Sequence, residues 1–384
     1  MVMAGTRTRR FKQHLAAMIA RLWRRPKLSP AALKELSPRG VLIVRQHNQM
    51  GDMVCAIPAL RALRRTYPDC PLVLVTSPVN GAVVSHDENL DGVLTFSQRM
   101  WRRPWALVRF VRELRGRKCE LAFVLGSVSF SVTSAVIALA SGARWIVGPD
   151  SRPYGWDISR HLFAVELPAS PRVDRHAVEH NLAPLQAVGI DTDDHLPRMI
   201  PAPGEQEEAA AVMAELGLRD GFWALHPGAG KRQNAWPADR FAAVAARAVG
   251  AGAQVLVLHG PADGRNLESL LANLETESRA HVIVAPALEV GVCAALLQRA
   301  GRFLCNDTGM MHVAGAVGTP TLALFGPTDP RLWKPPSDRV TALCSPRRDP
   351  DDRGPEFGWM ENISVQDAWR AWNALPVPGE HDGP

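Results

Sequence analysis

The chain has 384 residues, of which 46% are apolar and 21% are charged, and its formal net charge is +6. These values are typical of a globular protein with room for two domains. The sequence predicts no membrane-spanning helix, because no stretch approaches the roughly 18 to 20 uninterrupted apolar residues that such a helix needs. Residues 1–33 carry eight Lys and Arg side chains and no acid, so the rest of the chain has a net charge of −2.

The basic N-terminal arm predicts an amphipathic helix. Its apolar residues recur at helical spacing: Phe11, Leu15, Met18, Ile19 and Leu22. A helix of this kind can lie on an anionic bilayer surface, and the alternative is that its apolar stripe packs on the protein itself. Arg21, Arg24 and Arg25 argue against a cleavable signal peptide, because an apolar stretch should stand there. We predict an arm over 1–35 that meets the inner face of the bacterial inner membrane through residues 7–27.

Short apolar runs then alternate with helical patterns in two sets. The first set predicts strands at 41–45, 72–76, 92–96, 121–125 and 146–148, with a helix at 57–65. The second predicts strands at 222–226, 254–259, 281–284, 302–305 and 321–325, and helices at 238–249, 264–274, 290–299 and 308–317. Such alternation is typical of α/β domains with parallel sheets.

A proline-rich stretch separates the two sets. Between 166 and 206 the pattern breaks up, apart from one helix predicted at 176–188. Two doubly wound halves joined by such a linker predict a cleft in which the carboxyl ends of the strands bind ligands. Ser364 and Asp367 have the spacing of a capping box, which predicts a final helix after an exposed loop.

A glycine-containing turn follows the first predicted strand. Gly51 and Asp52 stand where that strand ends and a helix begins, so the Asp52 carboxylate is placed at the sheet edge. A carboxylate there would take a proton from an attacking hydroxyl group. The alternative is that Asp52 caps the following helix.

Two later loops suit an anionic ligand. Residues 225–237 form a glycine-rich loop whose N–H groups, with Lys231 and Arg232, suit a diphosphate. At 305–312 a strand ends in Asn306, Asp307, Thr308 and Gly309, and a helix starts at once. Its free N–H groups favour an anion, although a well-capped buried helix would look the same.

Two other patterns have weaker readings. His176, Glu179 and His180 match H-x-x-E-H, but no third zinc ligand is evident, so we predict no metal. The stretch at 99–118 is rich in arginine and contains Trp101 and Trp105. A nucleic-acid surface, a solvated face and a face for an anionic sugar or phosphate all fit that composition. Because the globular part is not basic as a whole, we predict no nucleic-acid partner and place an anionic acceptor near Arg102 and Arg103.

Taken together, these segments resemble the ADP-heptose:lipopolysaccharide heptosyltransferases of glycosyltransferase family 9. The resemblance runs from about residue 40 to 375. Its motifs are 41–65, His176-x-x-Glu179-x-Asn181-Leu182, Trp236-Pro237-x-x-Arg240-Phe241, Asn306-Asp307-Thr308-Gly309-x-x-His312, Gly318-Thr319-Pro320-Thr321 and Phe325-Gly326-Pro327-Thr328-Asp329-Pro330.

The resemblance implies a GT-B fold, that is, two Rossmann-like doubly wound parallel-sheet domains that face each other across a cleft. We expect an acceptor domain at 36–170, a linker with a helix at 171–205, a donor domain at 206–345, and a loop with a C-terminal helix at 346–384. The implied activity is metal-independent transfer of a sugar with inversion. The donor would be a nucleotide sugar, ADP-heptose by the resemblance. The acceptor would be a lipopolysaccharide core or another anionic lipid-linked saccharide, met from the cytoplasm.

The resemblance also implies roles for single residues. Asp52 would be the general base. The donor would be held by Gly228, Ala229, Gly230, Lys231, Arg232, Asp263, Asp307, Thr308, Gly309 and His312, with no cofactor and no metal. We expect the acceptor at Asn48, Gly51, Arg102 and Arg103.

The sequence departs from the family pattern in two places. The family usually has a lysine two residues before the tryptophan of its W-P pair, and here that residue is Asn234. Lys231 or Arg232 would then have to reach the same phosphates. His47, Asn48 and Gln49 stand where many members have small hydroxyl residues, which suggests a different acceptor. A non-catalytic nucleotide-sugar-binding protein and a nucleotide-sugar epimerase of the same fold are the alternative readings.

Overall fold

A computed structural model describes four ranges of the chain: residues 26–46, 49–126, 128–346 and 358–376. Most of the predicted membrane segment (residues 7–25) and Asn48 lie outside these ranges. The chain divides into two compact units. The first comprises residues up to Asn48 together with Ala56–His195, and the second comprises Gln49–Cys55 and Leu196–Pro384.

Strands and helices alternate through both units. The strands are β1 (Val41–Arg45), β2 (Leu72–Thr76), β3 (Gly92–Thr95), β4 (Leu121–Val124), β5 (Trp145–Pro149), β6 (Val165–Leu167), β7 (Trp223–His226), β8 (Val255–Val257), β9 (Val282–Val284), β10 (Arg302–Asn306), β11 (Thr321–Phe325) and β12 (Val340–Cys344). The helices are α1 (Pro30–Lys34), α2 (Met50–Val54), α3 (Ile57–Thr66), α4 (Pro78–Val84), α5 (Pro104–Gly116), α6 (Val132–Ala140), α7 (Ser159–Leu162), α8 (Ala177–Gln186), α9 (Pro203–Glu215), α10 (Ala238–Gly250), α11 (Gly264–Ala272), α12 (Thr276–Arg279), α13 (Val290–Arg299), α14 (Gly309–Val317), α15 (Pro330–Trp333) and α16 (Val365–Asn373).

Each unit is built on a six-stranded parallel sheet. The first sheet has the order β3-β2-β1-β4-β5-β6, and the second has β9-β8-β7-β10-β11-β12. In the first sheet Val41 pairs with Leu72 on one side and with Leu121 on the other. Both sheets therefore have the same doubly wound order, which reverses between β1 and β4 and between β7 and β10. Ligands of such sheets bind beyond the carboxyl ends of the strands at that reversal.

The cores of the two units explain why these runs form strands. All five residues of β1, β2 and β11 are buried, as expected for parallel strands covered by helices on both faces. In the second unit the predicted final helix, α16, brings Trp372 onto Trp223 with ring centroids 4.8 Å apart. The predicted start of this helix at Ser364 is confirmed, since the Ser364 hydroxyl accepts from the Asp367 N–H as an N-cap; it also donates to the Asp367 carboxylate.

The predicted strands and helices of residues 41–325 are confirmed, with ends displaced by at most two residues, whereas the helix predicted for the N-terminal arm lies outside the described ranges. Elements with no predicted counterpart include the edge strands β6 and β12 and the helices α1, α4, α7, α9, α12 and α15. Pro203 was taken as part of a linker that breaks the pattern, but it is the first residue of α9. A proline is tolerated there because the first N–H groups of a helix have no intrahelical partner. Glu205 closes that helix start by accepting from the N–H of Ala202 at 2.7 Å.

Candidate active site

The turn that carries Asp52 belongs to the second unit. Asp52 is the third residue of the short helix α2 and is buried. The interpretation of Asp52 as a helix cap is wrong, because the capping position of α2 is Gln49 and that of α3 is Ala56. Asp52 instead stands in the first turn of α2, where the partial positive charge of the helix end stabilises a carboxylate.

Helix α2 packs closely on helix α14. A Cβ atom on Gly51 would lie 2.6 Å from Cδ2 of His312, so only glycine permits this approach. A Cβ atom on Gly309 would lie 3.1 Å from Cβ of Met50. On the other side of the imidazole ring, Sγ of Cys55 is 3.4 Å from Nδ1 of His312. The predicted residues Gly51, Gly309 and His312 thus belong to one contact, which holds the Asp52 turn against the start of α14.

Asp307 is the centre of a polar cluster at the end of β10. Its Oδ2 accepts hydrogen bonds from the Asn234 amide at 3.1 Å and from the Thr328 hydroxyl at 2.6 Å. Burial raises the pKa of Asp307, and the Thr328 hydrogen bond and the positive charge of Lys231 offset part of that rise. Asn234, which stands where the family usually has a lysine, therefore donates a hydrogen bond to Asp307 from a neutral amide. The contact of Thr328 with Asp307 was not predicted, although Thr328 belongs to the family motif at 325–330.

Asn306 joins the two predicted donor loops. Its side chain is fully buried, and its amide donates to the carbonyl oxygens of Pro227 at 3.2 Å and Gly228 at 3.0 Å. Its Oδ1 accepts from the N–H of Trp236 at 3.0 Å. One side chain at the end of β10 thus fixes both ends of the loop that follows β7.

That loop also contacts Asp263. Nε2 of His226 is 3.1 Å from Oδ2 of Asp263, and the Gly260 N–H donates to the same oxygen at 2.7 Å. Burial alone would raise the pKa of Asp263, but the hydrogen bond and the charge of His226 lower it below its ordinary value. Gly228 lies directly against the Asp263 carboxylate, so a side chain at Gly228 would collide with it. The structure therefore brings Gly228 and Asp263 together and adds His226, whose role was missed.

Several buried polar atoms on these segments are unpaired within the part of the chain that the structure describes. They are Nδ1 of His226, Oδ1 of Asn234 and Oγ1 of Thr308. Buried polar atoms are nearly always hydrogen-bonded in folded proteins, so these three atoms are candidates for hydrogen bonds to a ligand. Ala229, Gly230, Lys231 and Arg232 complete the loop, and both basic side chains are exposed.

The predicted acceptor residues are not all described. Asn48 lies outside the described ranges. Arg102 ends a short 3-10 helix, Gln98–Arg102, in the first unit, and Arg103 follows it; both are exposed. Their role as acceptor-binding residues stays a prediction.

The H-x-x-E-H pattern has a structural explanation. His176 caps α8, its Nδ1 accepting from the Val178 N–H at 3.2 Å. Glu179 pairs with Nδ1 of His195 at 2.7 Å. In the described ranges no group of three or more His, Cys, Asp or Glu side chains could hold a metal ion. In the same ranges, no helix is both long enough and apolar enough to cross a bilayer.

Known proteins resemble this chain in sequence and in fold. The model of glycosyltransferase family 9 (heptosyltransferase) matches residues 107–356. Lipopolysaccharide heptosyltransferase 3 of Escherichia coli is 22% identical over 317 residues, which cover 79% of this chain and 90% of the relative. The structure of E. coli ADP-heptose lps heptosyltransferase II covers 88% of this chain and 98% of its own, with 20% identity and a TM-score of 0.72. A family 9 glycosyltransferase from Veillonella parvula covers 88% and 97%, with 22% identity and a TM-score of 0.74.

Two doubly wound units of the same strand order, similar to these solved structures, show the GT-B fold. The family model matches more than half of the chain. The chain therefore belongs to glycosyltransferase family 9, the heptosyltransferases. The family, the fold and the enzyme class predicted from the sequence are confirmed.

Proposed function

We propose that this enzyme transfers heptose from ADP-heptose, with inversion and without a metal ion, to a lipopolysaccharide core or another lipid-linked saccharide of the bacterial envelope. Support comes from the family match and from relatives whose names specify lipopolysaccharide heptosyltransferases. In this proposal the enzyme works at the inner face of the inner membrane. The predicted contact segment, 7–27, lies mostly outside the described residues; Lys27, at its end, donates to the carbonyl oxygen of Phe163 at 2.9 Å.

The packing of α2 on α14 is the observation that carries the proposal. The contact between Gly51 and His312 joins the Asp52 turn to the helix that begins directly after Asp307 and Thr308. Asp52 would act as the general base, taking the proton from the acceptor hydroxyl as its oxygen attacks the anomeric carbon. The new glycosidic bond forms as the bond to the diphosphate oxygen breaks, which inverts the anomeric centre.

The donor would be bound by the loops after β7 and β10. Asp307, Thr308, Gly309 and His312 would hold the sugar and the phosphates, and Asp263 the ribose. The unpaired buried atoms of His226, Asn234 and Thr308 offer polar contacts to such a ligand.

The leaving diphosphate needs positive charge if no metal ion supplies it. The N-terminal end of α14 and the exposed Lys231 and Arg232 would provide it in this proposal. Asn234 does not bring the charge that the family's lysine brings, because its amide is neutral and donates to Asp307. Gly228, Ala229 and Gly230 would let the loop backbone approach the phosphates closely.

Nucleotide binding tests the donor site first. The purified chain and its Asp307→Ala variant are titrated with ADP, UDP and GDP by calorimetry. We expect preference for ADP, and loss of that binding in the variant. Equal affinity for all three nucleotides, or unchanged binding in Asp307→Ala, would contradict the proposed donor site.

Transfer from ADP-heptose to lipid A–core precursors then tests the base. Asp52→Asn is expected to lower kcat by at least the roughly 10²- to 10⁴-fold typical of general-base catalysis. It should leave the affinity for ADP nearly unchanged. A variant that loses ADP binding but keeps kcat would place Asp52 in donor binding instead.

A further inference from the structure

Helix α5 carries two apolar faces, and the core of the first unit accounts for one of them. The inward face buries Phe110 and Leu114, and the Phe110 ring packs at a tilt against Phe96 with 5.1 Å between ring centroids. The outward face carries Trp105, which is 72% exposed, and Val108, which is 49% exposed. Burying large apolar side chains is favourable, so an outward-facing pair of this kind needs a reason other than packing of the unit.

Arginines surround that second face. Trp105, Val108, Arg109 and Arg112 follow the spacing i, i+3, i+4 and i+7, which puts them on one side of α5. The 3-10 helix before α5 adds Trp101, which is 47% exposed and lies edge-on to Phe96. We call this set, together with Arg99, Arg102 and Arg103, the basic–aromatic face.

The charges of this face are not neutralised by the described residues. Of the described acids, none forms an ion pair with any of its arginines, which are Arg99, Arg102, Arg103, Arg109 and Arg112. The acid of α5, Glu113, pairs with Arg117 at 3.6 Å. By contrast, Arg160 and Arg175 of the same unit pair with Asp157 and Asp174. Among the described residues, the basic–aromatic face therefore has unpaired positive charge beside exposed tryptophan.

We infer that the basic–aromatic face docks on the surface of an anionic lipid bilayer. Tryptophan prefers the bilayer interface, where its ring is buried among the headgroups, and arginine is attracted to anionic lipids. Exposed Val108 favours a bilayer over a nucleic acid, because an aliphatic side chain offers no ring on which a base can stack. The repulsion between two such arginine sets disfavours a second copy of this chain as the occupant.

The docking surface is distinct from the donor loops, which lie in the second unit. It does not depend on which sugar is transferred, and vesicle binding is measured without any nucleotide. Failure of the donor assays would therefore leave this inference untouched, and failure of vesicle binding would leave the proposed donor site untouched.

Flotation of the full chain with lipid vesicles tests the inference. The vesicles contain phosphatidylcholine alone or phosphatidylcholine mixed with phosphatidylglycerol. We expect binding to the anionic vesicles that weakens as salt is added. Arg109→Gln with Arg112→Gln should lower the partition coefficient by about five-fold per arginine, or about 25-fold for the pair.

A matched variant separates local docking from net charge. Arg160→Gln with Arg175→Gln removes the same charge from the same unit but leaves the basic–aromatic face intact, so its partition coefficient should fall much less. Equal losses in the two double variants would overturn the inference. It would also be overturned by unchanged binding in Arg109→Gln with Arg112→Gln, which would assign binding to another segment.

Tryptophan quenching gives a second readout. Brominated lipids should quench the wild type more than Trp105→Phe, because Trp105 would lie among the acyl chains and headgroups. Equal quenching in the two proteins would contradict a docked Trp105. Binding to oligonucleotides without binding to vesicles would likewise overturn the inference, in favour of a nucleic-acid surface.

Discussion

Gly51 is required by the ring that stands beside it. The space of a side chain at Gly51 is taken by Cδ2 and Nε2 of His312, and Cys55 holds that imidazole from its Nδ1 side. The ring therefore cannot move away without breaking a buried contact. Asp52 follows Gly51 directly, so the position of the proposed base depends on the missing Cβ.

The substitution Gly51→Ala should displace α2 from α14. Overpacking of this kind lowers the free energy of unfolding by roughly 1–3 kcal/mol. If the Asp52 carboxylate moves by about 1 Å, kcat should fall by roughly a hundredfold. Urea denaturation and steady-state kinetics measure the two effects.

Gly250→Ala is the matched control for this change. Gly250 ends α10 in the same unit, and a Cβ atom there meets no atom within 4 Å. Its kcat should be that of the wild type. Equal kinetics in Gly51→Ala and Gly250→Ala would show that the contact does not position Asp52.

The protonation of Asp307 sets the pH dependence of the proposed donor site. Because burial raises the pKa of Asp307, its carboxylate gains a proton at a higher pH than an ordinary aspartate does. A protonated carboxyl group loses acceptor capacity for the hydroxyl groups of a sugar. Donor affinity should therefore fall as the pH drops through this raised pKa.

Thr328→Val should move that midpoint upward. The Thr328 hydroxyl donates to Asp307 and lowers its pKa, so removing the hydroxyl raises the pKa further. The dissociation constant of ADP-heptose, measured across the acidic range, should then rise at a higher pH than in the wild type. Thr341→Val, at an exposed position of β12, is the control. A midpoint that stays in place or moves downward would contradict the role of this hydrogen bond.

At the level of secondary structure, one asparagine connects three segments. Asn306 ends β10 and bonds to the backbone at both ends of the loop between β7 and α10. Asn306→Asp keeps the acceptor for the Trp236 N–H but turns a carboxylate oxygen toward two carbonyl oxygens. This exchange replaces two hydrogen bonds by repulsion inside the protein.

We expect Asn306→Asp to lower the free energy of unfolding by at least roughly 1–3 kcal/mol, the cost of leaving buried polar groups unsatisfied. The KM for ADP-heptose should rise as well, because the loop with Lys231 and Arg232 loses its anchor. Asn273→Asp makes the same chemical change on an exposed asparagine of the second unit, whose amide donates to the Ser269 carbonyl beside water. It should lower the free energy of unfolding much less and leave the KM unchanged. A normal KM in a folded Asn306→Asp protein would show that the loop holds its shape without this residue.

The sequence predicts the secondary structure well where burial is regular. The first four residues of β1 and of β2 are apolar and all five are buried, so their strands are found directly. The start of α9 was missed because Pro203 is equally compatible with a break and with a first helical turn. Only the hydrogen bond from Ala202 to Glu205 distinguishes the two.

The sequence motifs identified candidate residues of the site, but they did not predict which residues contact each other. Local strand–turn–helix patterns pointed to Asp52 and Asp307, and the resemblance added a role for His312; these functional roles stay predictions. Thr328 and Asn306 were given no role, because each acts through a hydrogen bond to a residue distant in the sequence or to its backbone. Local patterns do not specify such pairings.

At the scale of the whole molecule, a short segment of the chain belongs to a different unit from the residues on either side of it. Residues 49–55 group with the second unit, although the segments before and after them group with the first. The sequence placed Asp52 in an acceptor domain because it follows the first strand. Its grouping with the second unit depends on the fit of Gly51 against His312, which no local pattern reveals.

This arrangement has a consequence for the construction of chimeric enzymes. A graft joined at the single boundary between His195 and Leu196 would import a new second unit but keep the host's version of residues 49–55. The foreign α14 would then pack against a turn from another protein. An exchange of the whole second unit must therefore transplant two pieces of the gene, a long one and one of only a few codons.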